Sequence, residues 1–217
     1  MHGGGCSVKW AEFYQSRRLD SDNWHSTTLC SDLNQILKEN NYEYTVIQIG
    51  SSSGREVALL AKNHIRHQFI GTDIYPEVIV YSSNIHRLPN LSFTLCGAKE
   101  IKLLLEKMSK SKRFIIFSSG SLQYVQPDHM KIFFSSLKQY EVQIVLLEPV
   151  SYRNFDPQRI NGSRWRDNFS YTHNYRYYAE ESDFLSIKSS IIKPYTMNDP
   201  IHAFTGHYYY YGKNRIP

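Results

Sequence analysis

Five short apolar runs, at 44–49, 68–72, 91–95, 113–117 and 142–147, alternate with windows of helical spacing at 55–63, 76–86, 99–109 and 128–140. No other feature constrains the chain as much. Strands joined through helices must cross over and pair in parallel, and such a sheet is buried on both faces beneath those helices. The links between the windows are a few residues long, as units of this kind require. Two further strand-like runs, at 186–193 and 203–212, follow one another with no helix between them. They are expected to pair antiparallel at the sheet edge. The expected architecture is α/β: a doubly wound, mostly parallel seven-stranded sheet with an antiparallel edge strand, plus an N-terminal helical extension.

The 217 residues suffice for one domain with additions. Residues 1–40 read as a tail and helical extension, with a flexible Gly3–Gly5 start and apolar positions at Trp10, Phe13, Tyr14, Leu19, Trp24, Leu29, Leu33, Ile36 and Leu37; Ser31-Asp32 is a plausible helix start. Residues 41–217 form the main domain. Within it, 151–176 breaks the alternation with five arginines against two aspartates, interleaved with Tyr152, Phe155, Trp165, Phe169, Tyr171 and Tyr175. This segment is too long for a mere connection and reads as a lid or substrate-recognition insertion, its plainer alternative being a solvated basic loop. A helix is expected at 175–184, and the stripe Tyr208 to Tyr211 is expected to cover sheet faces.

No apolar run reaches the roughly 18 residues of a membrane span. The start lacks the apolar stretch of a signal peptide, so a cytoplasmic protein is expected. Cys6, Cys30 and Cys96 are odd in number and widely spaced, which predicts free thiols. His64 and His67 lack the glutamate of a His-Glu-x-x-His site, so no metal is expected and both are read as solvated residues at a helix end. The formal charge of +5 favours an anionic partner and is too small to imply nucleic acid.

The first apolar run enters a Gly/Ser turn and then a helix: Gln48-Ile49-Gly50-Ser51-Ser52-Ser53-Gly54-Arg55. Glycine lets a ligand approach the backbone, and the first helical N–H groups lack partners inside the helix. A dinucleotide fingerprint would need its third glycine at Arg55, and the Gly-Lys-Ser/Thr of a phosphate loop is absent. What remains is acid/polar-x-Gly-x-Gly/Ser-x-Gly. The second run ends Gly71-Thr72-Asp73-Ile74-Tyr75-Pro76-Glu77, where a carboxylate can accept from two ribose hydroxyls. The third ends Leu95-Cys96-Gly97-Ala98. The fourth ends Phe117-Ser118-Ser119-Gly120-Ser121-Leu122-Gln123-Tyr124, and the fifth Leu147-Glu148-Pro149, where the strand is expected to leave the core.

Taken in order, these endings resemble the class I S-adenosylmethionine-dependent methyltransferases over roughly residues 44–150. The resemblance implies a Rossmann-like fold and S-adenosylmethionine as cofactor. It places Gln48, Gly50, Ser51, Ser52 and Gly54 around the cofactor's amino-acid end, Asp73 and Ile74 at the ribose, Gly97 and Ala98 at the adenine through their backbone, and Ser118 and Ser119 toward the transferred methyl. Two residues depart from the family pattern, Gln48 for its usual acid and Ser52 for its middle glycine, and the third strand end carries no acid.

A hydroxyl acceptor needs a base, whereas a carboxylate or an amine need not lose a proton to one. His173, Glu148 and Tyr124 are the candidate catalytic residues, and Tyr124, Tyr152, Arg153, Arg164 and Arg166 the candidate substrate-binding residues. The expected activity is methyl transfer at oxygen to a small polar acceptor, neutral or anionic, such as a sugar, a glycan precursor or a metabolite. A nucleic-acid methyltransferase is the first alternative, against which Ser118-Ser119-Gly120 stands in place of the Asn/Asp-Pro-Pro-Tyr/Phe tetrad. The second alternative is a methyltransferase-like binding module without activity. Partners are expected to be a small-molecule acceptor and no membrane, with a homodimer left open.

Overall fold

A computed structural model of the chain describes residues 28–39, 41–108, 113–151, 156–166, 170–192 and 205–214. Helix α1 (Thr28–Glu39) leads into four strand–helix units: β1 (Thr45–Ile49) and α2 (Arg55–Asn63), β2 (Gln68–Asp73) and α3 (Pro76–Ile85), β3 (Leu91–Leu95) and α4 (Ile101–Lys107), β4 (Arg113–Ser119) and α5 (Pro127–Ser136). Then come β5 (Glu141–Ser151), a hairpin of β6 (Ser163–Trp165) and β7 (Tyr171–His173), α6 (Tyr175–Glu180), β8 (Phe184–Ile192) and β9 (Thr205–Asn214). Seven strands make one sheet in the order β3-β2-β1-β4-β5-β9-β8. The first five are parallel, and β9 runs antiparallel to both β5 and β8.

Alternation along each strand builds two apolar layers. On β4, Phe114 and Ile116 face the layer holding Ile101, Leu105, Phe133 and Tyr178, while Ile115 and Phe117 face the one holding Leu29, Leu33, Val57 and Leu60. β1 sits between β2 and β4, and all five of its residues are buried. The tyrosine stripe follows the same rule: Tyr208 and Tyr210 enter the first layer and Tyr209 the second.

Several boundaries differ from the sequence reading for identifiable reasons. Ser31 and Asp32 lie inside α1 rather than at its start. Helix α6 stops at Glu180 because Asp183 turns the chain into β8 with a left-handed φ of 62°. β5 does not leave the core at Glu148-Pro149; it continues to Ser151 because β9 pairs with it as far as Thr205. Within the basic segment, Ser163–Trp165 and Tyr171–His173 pair as antiparallel strands rather than forming a loop. Cys30 and Cys96 are buried free thiols, and Cys6 lies outside the described residues with Trp10, Phe13, Tyr14, Leu19 and Trp24. No described helix is long and apolar enough to cross a membrane.

His64 and His67 are not solvated: both are buried and join α1 to the sheet. Nε2 of His64 lies 2.7 Å from Asn34 Oδ1. The Tyr44 backbone N–H donates to His67 Nδ1 at 3.2 Å, so that nitrogen carries no proton and Nε2–H donates to the Leu37 carbonyl at 3.1 Å. The neutral ring is thereby the favoured one, and burial holds its pKa below the ordinary value. Between the unfolded value near 6.5 and the lower folded one, the unfolded chain binds the extra proton, so this contribution to stability is lost as pH falls. His67→Leu should cost about 1–3 kcal/mol at pH 7.5, and that deficit should shrink on going to pH 5, as measured by denaturant unfolding at each pH.

Candidate cofactor and active site

The turn after β1 takes three left-handed residues in five positions, Gly50 at φ 67°, Ser52 at 47° and Gly54 at 74°. At two of them any side chain would collide: a Cβ on Gly50 would stand 2.1 Å from Ser121 Oγ, and one on Gly54 would stand 2.5 Å from the Phe93 ring. Ser52 carries the strain of a non-glycine residue in this region, of order 1 kcal/mol, which accounts for glycine being usual there. Its neighbours hold it in place. The Ser52 N–H donates to Asp73 Oδ2 at 3.1 Å, its carbonyl accepts from Ser82 Oγ at 2.7 Å, and the Ser53 carbonyl lies 2.9 Å from His86 Nε2.

Asp73 ends β2 beside this turn. Its other oxygen accepts from the N–H groups of Ile74 at 2.8 Å and Tyr75 at 3.3 Å. Burial raises its pKa while these three N–H groups pull it back. The carboxylate is fixed between the first two strand ends, with acceptor capacity on both oxygens for a vicinal diol. Beneath the turn, Gln48 donates from Nε2 to Glu56 Oε2 at 2.5 Å. Gln48 Oε1 and Ser51 Oγ are buried without a partner. Two orphaned acceptors, bare glycine backbone and a fixed carboxylate fit a ligand with an amino-acid end and a ribose.

The sequence reading missed Glu56. It stands in the first turn of α2, and its carboxyl accepts from the Gln48 amide at the position where the family pattern has an acid. Burial pushes its pKa up to about 7, with the Gln48 hydrogen bond opposing and the Glu148 charge adding. An acid two residues after the turn glycine was the available signal.

At the end of β4, Ser118 is buried and donates to the Ile49 carbonyl at 3.2 Å, while Ser119 is half-buried. Gly120 takes φ 78°, and Ser121 Oγ donates to the Gly50 carbonyl at 3.1 Å. Glu148 is fully buried below this corner. Its two oxygens accept from the N–H groups of Ser121 and Gln123, each at 3.3 Å. Burial pushes its pKa up to about 7 against those hydrogen bonds. As placed, Glu148 braces the turn through these two hydrogen bonds.

His173 is also fully buried. Nδ1 lies 2.5 Å from Ser163 Oγ, which in turn is 2.7 Å from Tyr178 OH, and the rings of Tyr171, Tyr175 and Tyr178 surround the imidazole. Burial pushes its pKa down to about 4. The position expected for a lid base is thus a sealed joint between the hairpin and α6.

The remaining candidates lie on the turn after β4 and on the hairpin. Tyr124 is 60% exposed on the turn after β4, and Trp165 is 57% exposed on β6 with its ring edge-on to Tyr171. Arg166 donates from Nη2 to Gln123 Oε1 and from Nε to Ser170 Oγ, and Gln123 in turn caps the Gly120 carbonyl at 2.7 Å. Arg164 is exposed on the face of the hairpin opposite Trp165. Tyr152 and Arg153 lie outside the described residues. No group of three or more His, Cys, Asp or Glu among the described residues could hold a metal ion.

No family model and no curated protein matches the sequence. Solved structures do match in shape. A TehB-like S-adenosylmethionine-dependent methyltransferase from Corynebacterium glutamicum superposes with a TM-score of 0.62 at 12% identity, over 99% of this chain and 100% of that one. The N-methyltransferase NodS from Bradyrhizobium japonicum, solved with S-adenosylhomocysteine, gives 0.62 at 13% identity over 97% and 99%. The [4+2]-cyclase SpnF gives 0.60 at 10% identity over 86% and 81%. The strand order, the left-handed turn after β1 and these superpositions agree: the chain has the Rossmann-like fold of the class I S-adenosylmethionine-dependent methyltransferases.

Proposed function

We propose that the chain is an S-adenosylmethionine-dependent methyltransferase that acts at oxygen on a small, anionic acceptor. The observation that carries this reading is the joined cradle of Gly50, Ser52, Gly54 and Asp73, with Gln48 Oε1 and Ser51 Oγ buried and unpartnered at the same strand end. The cofactor supplies an electrophilic methyl on a sulfonium, so the protein's task is alignment in a closed site. Asp73 takes the ribose hydroxyls. Gln48, Glu56 and the Gly50–Ser52 backbone take the amino-acid end.

The acceptor enters past Tyr124, Trp165 and Arg166, where a guanidinium group suits a carboxylate and the aromatic rings suit an apolar or ring-bearing remainder. An acceptor that arrives as an anion has no proton to lose, which agrees with the sealed positions of Glu148 and His173. These two residues act by positioning. Glu148 holds the Ser121 corner, which touches the Gly50 carbonyl, and His173 holds the hairpin that carries Arg166.

Isothermal titration of the chain with S-adenosylhomocysteine tests the cofactor. Asp73→Ala should weaken binding by about a hundredfold or more, the worth of two hydrogen bonds to a charged group. Unchanged affinity would overturn the ribose assignment, and no binding to wild type at millimolar concentration would overturn the methyltransferase reading. Binding without turnover on any carboxylate or hydroxyl acceptor would favour a cofactor-sensing module.

Glu148→Gln tests the positioning role. In the wild type the folded carboxyl, at about 7, binds a proton that the unfolded one, at 4.5, has released. Its contribution to stability is therefore present below pH 4.5 and lost as pH rises through 7. Relative to wild type, the variant should gain stability by up to about 3 kcal/mol between pH 4.5 and 8 while still binding S-adenosylhomocysteine. Loss of turnover with an unchanged stability profile would restore Glu148 as a base.

A further inference from the structure

Helix α3 buries only two of its ten residues, Val78 and Ser82, one turn apart. One turn further on, His86 closes the helix, its N–H donating to the Ser82 carbonyl at 3.0 Å. Helical spacing puts all three on one face, where apolar side chains are expected, yet two of the three are polar. A serine inside a helix commonly turns its hydroxyl back onto the carbonyl four residues earlier. Ser82 instead donates across to the Ser52 carbonyl at 2.7 Å. His86 Nε2 lies 2.9 Å from the Ser53 carbonyl and is the donor there, because a carbonyl can only accept. The imidazole also lies beside Phe93, with ring centres 6.1 Å apart, and Phe93 in turn fills the space that a Cβ on Gly54 would need.

The two carbonyls belong to Ser52, which is the one residue of this turn that is left-handed without being glycine, and to its successor. A serine at φ 47° is disfavoured by about five- to thirtyfold, whereas a glycine adopts that conformation freely. The turn therefore needs an outside hold. Asp73 provides part of it by accepting from the Ser52 N–H at 3.1 Å. With Ser82 on the carbonyl, the peptide groups on both sides of the Ser52 Cα are held, and with them both of its backbone dihedrals. The hold from α3 comes from residues 30 and 33 positions away in the chain.

We propose that Ser82 and His86 are positioning residues for cofactor binding: they keep the Ser52 turn left-handed before the cofactor arrives, in place of the glycine that the family pattern has at position 52. The inference rests on the cofactor reading above and extends it to a helix outside the strand-end motifs. Apparent affinity falls in proportion to the fraction of molecules whose site is already formed, so releasing the hold is read directly as weaker binding. The departure from glycine and the polar face of α3 are then two halves of one arrangement.

The test is calorimetric titration of the full chain with S-adenosylhomocysteine, in a cycle of wild type, Ser82→Ala, Ser52→Gly and the double variant. Against wild type, Ser82→Ala should weaken binding about three- to tenfold. In the Ser52→Gly background the same substitution should cost less than about twofold, because the left-handed form no longer needs holding. His86→Leu, which keeps bulk beside Phe93 and removes the donor, should show the same dependence on position 52, and His86→Gln, which keeps a donor, should regain most of what His86→Leu loses. The His86 variants carry the test alone if Ser82→Ala does not fold. A merely structural role would lower the melting temperature and leave the affinity of the folded protein unchanged, or would weaken binding equally in both backgrounds. Either result overturns the assignment and leaves the cofactor reading standing. If wild type does not bind S-adenosylhomocysteine, both fall.

Discussion

The contact between Ser121 and Gly50 organises the site. It joins two turns that belong to different strand–helix units, and it is close enough that position 50 admits no side chain. From it the constraints spread outward. Glu148 holds Ser121 and Gln123 by their N–H groups, Gln123 holds Gly120, and Arg166 reaches Gln123 from the hairpin. On the other side Asp73 holds Ser52, and α3 holds Ser52 and Ser53 by their carbonyls. Three strand ends and one insertion are thereby fixed by short polar links, with the left-handed turn at the centre.

The central sheet was readable because its signals are local. Period, turn glycines and apolar runs lie within a few residues of one another, and they located β1 to β4, α2 and the antiparallel final pair. What escaped depends on contacts between distant segments. Nothing near His67 announces that the Tyr44 N–H and the Leu37 carbonyl will claim both ring nitrogens. Likewise β5 runs past Glu148-Pro149 only because β9 arrives beside it, and nothing near His173 announces that Ser163 and the tyrosines of α6 will close around it. Glu56 is a third kind of miss. It was visible as an acid, but its contact with Gln48 is set by the start of α2.

The superposed proteins show why the site must carry the functional argument. One is an N-methyltransferase and another a cyclase, on backbones of similar shape. The shared sheet positions strand ends; it does not choose the acceptor atom or the reaction. What crowns the sheet in this chain is Arg166 reaching Gln123, the exposed rings of Tyr124 and Trp165, and Glu148 buried beneath them.

Helix α1 packs Leu29, Leu33 and Leu37 against a layer completed by Val145 and Tyr209. Its Asp32 accepts from Tyr209 OH and lies 3.3 Å from Lys188, whose ammonium stands 5.2 Å from the Tyr209 ring centre. These partners are separated in sequence by 177 and 156 residues. During synthesis the helix therefore emerges long before β8 and β9, and its first partners are those near it in the chain, with Asn34 meeting His64 and the Leu37 carbonyl meeting His67. The Asp32 links close a far longer loop, so they belong to the last stage of assembly.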